Sequence, residues 1–279
     1  MPLDATLQAL ARMPIPVDPW QNAQVGNRND GPYKAGYLSL PVQEEGGNPL
    51  VDVSRCGLLS ADLYFDQWLE GETTYAAAQA ENLLFSRALL REGHAKRMQR
   101  ADAFFRAHGL ALFIRSGWRH PKTQQLAREV YSQRTSPEDA DDRLFAPVQK
   151  NAAPPPHATG ACADIELVML DQGQALPMHV TLCGQAILGN YALEKAQARY
   201  HGGVPTAVQA TLGHRRLLYH VLCTPGVVFA EHEVFVGHPG EFWHFGDVDP
   251  LSAFLQRQPK ARCGELLPLP TAYFRAAID

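Results

Sequence analysis

The chain has 279 residues, of which 46% are hydrophobic and 19% are charged, enough apolar sequence to bury a sizeable core in one large domain or in one domain with an appendage. A formal net charge of −4 provides no basic surface for nucleic acid or for an anionic membrane. These values argue against nucleic-acid and membrane partners and are typical of a globular enzyme.

Residues 1–50 are rich in Pro, Gly and Asn and are expected to form an irregular arm before a domain that covers residues 51–279. Helical periodicity over residues 75–108 predicts two helices that meet near Glu92 and end at Gly109. The elements predicted after them are a strand at 110–116, a helix at 121–133, a polar loop at 135–156, a strand at 163–170, a helix at 206–222, and strand-like segments at 227–230 and 241–245. Helices and short strands are mixed without regular βαβ alternation, so the predicted fold class is α+β.

Two short segments carry the most informative side chains. His157 and Asp164 lie in HATGACAD, and Glu241 and His244 lie in GEFWH. Two imidazoles and one carboxylate form a zinc-binding set that leaves a coordination position open for water, whereas a closed structural site usually uses four Cys or His ligands. The second carboxylate can then act on that water. Neither segment is specific when taken alone.

The local sequence suggests how each segment is placed. A run of three prolines precedes His157, which is expected on a loop, and Asp164 is expected near the start of the following strand. Glu241 and His244 are three residues apart, and in an ideal strand such residues point to opposite faces. A bulge or a twist is therefore expected to bring these two side chains together.

A third segment, RSGWRH, follows the predicted strand at 110–116 and places Arg119 just beyond Gly117. A guanidinium group stays charged at any working pH and presents a rigid fork of donors, so Arg119 is suited to stabilise a developing oxyanion. The alternative is that Arg119 only pairs with a carboxylate.

SGWR, H-x6-D and E-x-W-H in this order resemble the M15 metallopeptidases, most closely their D-alanyl-D-alanine dipeptidase branch, over roughly residues 50–255. The resemblance implies a Hedgehog-like peptidase fold, with a zinc site at a small, mostly antiparallel sheet flanked by helices. It implies one zinc ion per chain, with His157, Asp164 and His244 as ligands, Glu241 as the catalytic base and Arg119 as the transition-state arginine. The implied substrate is a small peptide of the cell-wall type, D-alanyl-D-alanine above all, which would connect the enzyme to peptidoglycan.

One region departs from the family pattern. The dipeptidases usually carry acidic residues after the Asp-bearing strand, and these help to hold the free amine of the substrate. Residues 176–190 contain no acid here. We therefore expect a weaker preference for a free amine, unless Asp171, Glu194 or an acid of the N-terminal arm takes that place.

Two other functions remain open at this point. A related D,D- or L,D-peptidase that acts on longer muropeptides is favoured by the missing acids. A zinc-carrying binding domain that has lost hydrolysis is the third possibility, although a pure binder need not keep both Glu241 and Arg119.

The cysteines and the N-terminus indicate the compartment. The first residues lack a basic start followed by an apolar core, so they make a poor signal peptide, and no apolar run approaches the length of a membrane span. The cytoplasm is therefore expected, the periplasm less so, and the sequence leaves the oligomeric state open. Five cysteines without a CxxC pattern favour free thiols over disulfides or a thiolate zinc site. They are Cys56, Cys162, Cys183, Cys223 and Cys263.

Overall fold

The computed structural model describes residues 3–16, 49–134, 157, 160–182, 184–199, 204–238 and 240–247. The α-helices in these ranges are α1 (Ala5–Arg12), α2 (Leu63–Leu69), α3 (Ala76–Ala80), α4 (Glu92–Ala107), α5 (Pro121–Arg134), α6 (Asn190–Arg199) and α7 (Thr206–Cys223). The strands are β1 (Leu50–Asp52), β2 (Leu59–Ser60), β3 (Leu89–Arg91), β4 (Leu110–Ser116), β5 (Cys162–Met169), β6 (Gln174–Ala175), β7 (Thr181–Leu182), β8 (Gln185–Ala186), β9 (Phe235–Gly237) and β10 (His244–Asp247). Over these residues, no helix combines the length and the apolar character needed to span a membrane.

The main sheet has the strand order β2-β4-β5-β10-β9, and β6 also pairs with β5. Only the β2–β4 pair is parallel among these strands. Two small antiparallel sheets, β1–β3 and β7–β8, accompany it. This mixture of helices with a mostly antiparallel sheet confirms the predicted α+β class.

The two faces of strand β5 have different surroundings, because only one of them packs into the hydrophobic core. Ile165 and Leu167 are fully buried in the main hydrophobic cluster. Successive side chains of a strand point to opposite faces, so Cys162, Asp164 and Glu166 share the other face. The burial of Ile165 and Leu167 therefore determines which face of β5 carries Asp164.

Helix α4 covers the core side of the sheet. Met98 and Phe105 are fully buried in the main cluster, and Asp102 on the same helix accepts a hydrogen bond from the backbone N–H of Leu112 at 2.8 Å. Gly109, with φ at +78°, ends the helical segment and leads into β4. The predicted helix start at Glu92 and stop at Gly109 are confirmed.

Two sequence-based assignments are wrong. A 3-10 turn at Thr73–Tyr75 and the short α3 replace the first of the two helices predicted within residues 75–108. The chain then forms β3, which pairs with β1, because Leu90 is fully buried there and the strand obtains its hydrogen bonds from a distant segment. Residues 227 and 228 lie in a turn, Phe229 forms an isolated bridge with Pro225, and the strand comes later, at β9.

Helix α1 lies in the segment that was expected to be irregular. The side chain of Asp4 caps it by accepting from the backbone N–H of Leu7 at 3.0 Å, and Leu7 is fully buried. The helix packs against α7, because its apolar side would otherwise face water. The remainder of the arm, residues 17–48, and the loop predicted at 135–156 lie outside the described residues, so the division at residue 50 stays a prediction.

Candidate active site

The strand register aligns three polar residues across the sheet. Asp164 on β5 pairs with Ser116 on β4 and with His244 on β10. Residues directly opposite each other in an antiparallel pair project from the same face, so the three side chains lie side by side. A register shift between Ile114 and Ser116 interrupts the ladder just before this row, and such bulges re-aim side chains near sites.

His157 approaches this row from the loop before β5. Its Nδ1–H donates to the carbonyl of Gly117 at 2.7 Å, which leaves Nε2 as the nitrogen that can bind a metal once its proton is displaced. That Nε2 lies 3.3 Å from Oδ1 of Asp164. A backbone carbonyl on the far nitrogen is the usual way in which a metal-binding imidazole is oriented.

This arrangement requires a glycine at position 117, because any larger residue would collide with strand β3. A Cβ at that position would lie 2.3 Å from the carbonyl oxygen of Leu89 on β3. The same carbonyl accepts from the backbone N–H of Trp118 at 2.6 Å. The glycine of the SGWR segment therefore lets β3 support the loop that holds His157.

Glu241 and His244 converge through a tight turn. The backbone N–H of His244 donates to the carbonyl of Glu241 at 3.3 Å, and Nδ1 of His244 lies 3.7 Å from Oε2 of Glu241. Phe242, inside the turn, is buried and donates its N–H to the carbonyl of Leu188 at 3.0 Å. The expectation of a bulge or a twisted strand was wrong, because β10 begins only at His244 and the preceding residues turn.

The donor atoms have the spacing that a metal ion requires. Oδ1 of Asp164 lies 3.3 Å from Nε2 of His157 and 3.2 Å from Nδ1 of His244. Two donors about 2.1 Å from a tetrahedral zinc ion are about 3.4 Å apart. Among the residues that the structure describes, two groups could hold an ion, and both include His244. The first group adds His157 and Cys162, and the second adds Asp164 and Glu241. Within each group the donor atoms lie within 4.8 Å of one another. The residues present therefore fit a zinc ion.

Opposite charges dominate the electrostatics of this cluster. Burial raises the pKa of the Asp164 carboxyl, but the His157 and His244 imidazoles outweigh burial and hold that pKa far below its usual range. Burial likewise lowers the pKa of both imidazoles. The Asp164 carboxylate and the Cys162 thiol group nevertheless raise the pKa of His157 to about 9, and the same two groups raise the pKa of His244 to about 10. Without a metal ion, the imidazoles therefore retain protons that a metal must displace.

Arg119 lies beside the cluster and is almost fully buried. Its Nη2 contacts Oδ2 of Asp164 at 3.4 Å and donates to Ser116 Oγ at 3.1 Å, while Nη1 donates to Gln124 Oε1 at 2.7 Å. Its Nε is buried and has no hydrogen-bond partner among the residues the structure describes. The guanidinium thus touches the oxygen of Asp164 that faces away from the histidines, and one of its donors stays unused.

Two residues that the sequence did not single out support Arg119. The ring of Tyr64 lies under the guanidinium, 4.4 Å from Cζ to the ring centroid. Asp62 caps α2 through the backbone N–H of Tyr64 at 3.1 Å. Burial raises the pKa of Asp62 to about 7, although the nearby Arg119 opposes this shift. The sequence marks Asp62 as a helix cap, but nothing in it reveals the proximity to Arg119.

Cys162 is the third residue that sequence reasoning missed. Its side chain is buried and forms one potential metal-binding group with His157 and His244. Burial raises the pKa of this thiol, but the two imidazoles outweigh it and lower the pKa to about 6. Position 162 lies one residue before the predicted strand at 163–170 and two residues before Asp164, so period-2 alternation extended by one residue was the available signal.

The structure places the two named replacements for the missing amine-binding acids differently. Glu194 is buried, pairs with Arg216 at 2.6 Å and accepts from the backbone N–H of Ile15 at 2.9 Å. Asp171 is exposed in the turn after β5. Most acids of the N-terminal arm lie outside the described residues.

Comparison with known families agrees with these observations. A family model described as D-ala-D-ala dipeptidase, Peptidase M15, matches residues 70–260, which is more than half of the chain. The chain belongs to the M15 peptidase family, so it carries a peptidase domain, and its substrate is a peptide. No curated protein matches the chain.

Proposed function

We propose that this M15 peptidase is zinc-dependent and hydrolyses a small peptide containing D-amino acids, with D-alanyl-D-alanine as the expected substrate. The observation that carries the proposal is the position of Asp164 Oδ1, 3.3 Å from His157 Nε2 and 3.2 Å from His244 Nδ1, with the carboxylate of Glu241 beside His244. His157, Asp164 and His244 would hold one ion.

When bound, zinc would polarise a water molecule and bring its pKa toward neutrality. Glu241 is proposed to accept a proton from that water as it attacks the peptide carbonyl, and then to deliver the proton to the leaving amine. The tight turn supports this role, because it keeps the carboxylate 3.7 Å from a proposed ligand atom, close to where a metal-bound water would lie. A base needs such proximity to the water and freedom from the metal.

Arg119 is proposed to stabilise the negative charge that develops on the carbonyl oxygen. Asp164, Ser116 and Gln124 hold the guanidinium in position, and its Nε–H has no acceptor among the described residues. A pre-oriented donor in a buried site costs little reorganisation when charge develops. The contact with Asp164 Oδ2 gives Arg119 a second task, which is to orient a proposed metal ligand.

The substrate assignment rests on the description of the matching family model and on the order of the three motifs. A peptidase acting on longer muropeptides is the second candidate. It is favoured because residues 176–190 contain no acid and the Glu194 carboxylate is already paired. A non-hydrolytic binding domain is disfavoured, because such a domain has no need for both Glu241 and Arg119 next to one metal site.

The experiment that tests the proposal compares hydrolysis of D-alanyl-D-alanine and of its N-acetylated form, before and after removal of metal with a chelator. We expect hydrolysis that disappears with the chelator and returns when zinc is added. Hydrolysis of a muropeptide but of neither dipeptide would select the second candidate. Binding of zinc without hydrolysis of any of the three substrates would contradict the assignment as an enzyme of this type.

A further inference from the structure

We infer that the sulfur of Cys162 is a further protein donor to the metal ion, beside His157, Asp164 and His244. The inference rests on the proposed metal centre and deepens it. It assigns the site a mixed sulfur, nitrogen and oxygen character that differs from a set of two histidines and one aspartate.

The strand geometry directs Cys162 into the site. Cys162 and Asp164 are two residues apart on β5, on the face opposite the fully buried Ala163 and Ile165. On the neighbouring strand, His244 is paired with Asp164 and Gly246 with Cys162. The sulfur therefore lies diagonally across from the imidazole of His244.

The residue opposite Cys162 leaves room for this approach. Gly246 has no side chain, and a Cβ built there would only just touch the Cβ of Cys162, at 3.6 Å. Cys162 is 2% exposed, so its sulfur is withdrawn from bulk solvent and faces the cluster. A thiol in this position has two imidazoles as neighbours, and soft thiolate together with imidazole is a donor set that zinc and cobalt prefer.

The distances agree with shared coordination. The donor atoms of His157, Cys162 and His244 all lie within 4.8 Å of one another, and the rings of the two histidines are 4.8 Å apart, nearly perpendicular. Each of the two histidines also has a nitrogen within 3.3 Å of Asp164 Oδ1, so the imidazoles that lie near the sulfur also contact the proposed carboxylate ligand. Zinc at catalytic sites also adopts five-coordination, so a fourth protein donor leaves a position for water.

Cobalt(II) provides a test that does not depend on activity. Metal-free full-length protein, kept reduced with a phosphine, is titrated with Co(II) while the near-ultraviolet spectrum is recorded. A cobalt–thiolate bond produces an intense charge-transfer band there, whereas nitrogen and oxygen donors do not. We expect the band to grow and to saturate at one equivalent of metal.

Three variants make the assignment specific. Cys162→Ala should still bind Co(II), with an affinity lower by about 10-fold or more, and should lack the band. Cys162→Ser preserves the volume with a hard oxygen donor and should lack the band as well, so the test survives if the alanine variant folds poorly. Cys56→Ser, which changes a half-buried thiol in a 3-10 turn, should keep the band unchanged.

Each outcome decides a different claim. Co(II) binding without the band in the wild type, or a band that persists in Cys162→Ala, would overturn the role of Cys162 and leave the proposed metal centre intact. Failure of the wild type to bind Co(II) at all would overturn both proposals. Loss of the band together with a loss of affinity in both Cys162 variants, but not in Cys56→Ser, supports the inference.

Discussion

Glu241 and His244 are joined by one tight turn, closed by a 3.3 Å hydrogen bond from the N–H of His244 to the carbonyl of Glu241. The turn places Oε2 of Glu241 3.7 Å from Nδ1 of His244. A short E-x-x-H segment can therefore provide both a base and a metal ligand, because the backbone reverses between them. In a continuous strand, the two side chains would point to opposite faces.

The turn leads to a prediction for Glu241→Gln. The amide is nearly isosteric but cannot accept a proton, so zinc content should stay at wild-type level while kcat falls by about 10² or more. Metal analysis and steady-state kinetics on the same sample measure both. Glu231→Gln, at an exposed position, is the matched control and should behave as wild type. Loss of zinc in Glu241→Gln would make Glu241 a ligand, and activity within a few-fold of wild type would place the base elsewhere.

Arg119→Lys separates charge from geometry. Lysine keeps the positive charge but cannot reproduce the fork that holds Gln124, Ser116 and Asp164. We expect kcat to fall by about 10²- to 10³-fold with zinc affinity reduced far less. The exposed Arg55→Lys serves as the control. A loss of zinc affinity as large as the loss of kcat would reduce Arg119 to a residue that positions Asp164.

Gly117→Ala should damage the site through the backbone. The added Cβ would meet the carbonyl oxygen of Leu89 at 2.3 Å, so the loop that accepts from His157 must move. We expect a loss of stability of about 2–4 kcal/mol and weaker zinc binding, measured by denaturant unfolding and by metal titration. Gly213→Ala in α7 is the control, since its Cβ finds only ordinary contacts at 3.6 Å. Equal behaviour of the two variants would show that β3 does not constrain the loop.

Metal binding should weaken as the pH falls. The pKa values of His157 and His244 are raised to about 9 and about 10, so both imidazoles are protonated below those values, and a metal ion must displace about two protons. Between about pH 6.5 and pH 8, the logarithm of the apparent zinc affinity should therefore rise with a slope of about 2 per pH unit. The window lies above the pKa of about 6 for Cys162. A slope near zero would mean that the imidazoles are already neutral in the metal-free protein.

The preference for a free substrate amine is expected to be weaker than in the family pattern. A buried ammonium needs a carboxylate or several carbonyl acceptors, and Glu194 is occupied by Arg216. We expect kcat/KM for free D-alanyl-D-alanine to exceed that for the N-acetyl form by less than roughly 10³, or about 4 kcal/mol. A larger ratio would reveal an acidic partner. Glu166, on the same face of β5 as Asp164, would then be the first residue to change to glutamine.

The elements that the sequence predicted correctly are those whose formation depends on residues close together in the chain. The helix from Glu92 ends at Ala107, just before Gly109, and the strand after it is buried; both features depend on neighbouring residues. The pairing of β1 with β3 depends on segments about 40 residues apart, so residues 81–91 were misread as helix. Helix α1 was missed because its stability comes from packing against α7.

The same distinction holds for the candidate site. Residue types and their order pointed to His157, Asp164, His244, Glu241 and Arg119, and the fold brings all five together. The proximity of Asp62 and Tyr64 to Arg119 follows from tertiary packing alone, which no local pattern encodes. Cys162 was different, since a strand that begins one residue earlier than predicted puts it on the face of Asp164.

The most direct test of the central claim is reconstitution of metal-free protein with zinc in small steps, with hydrolysis of D-alanyl-D-alanine measured at each step. The account predicts no activity without metal, a linear rise, and a break at one zinc per chain. His244→Ala should show neither tight binding nor a rise, because it removes the one residue that the two candidate metal-binding groups share. Hydrolysis by fully metal-free protein, or full zinc occupancy in His244→Ala, would contradict the account.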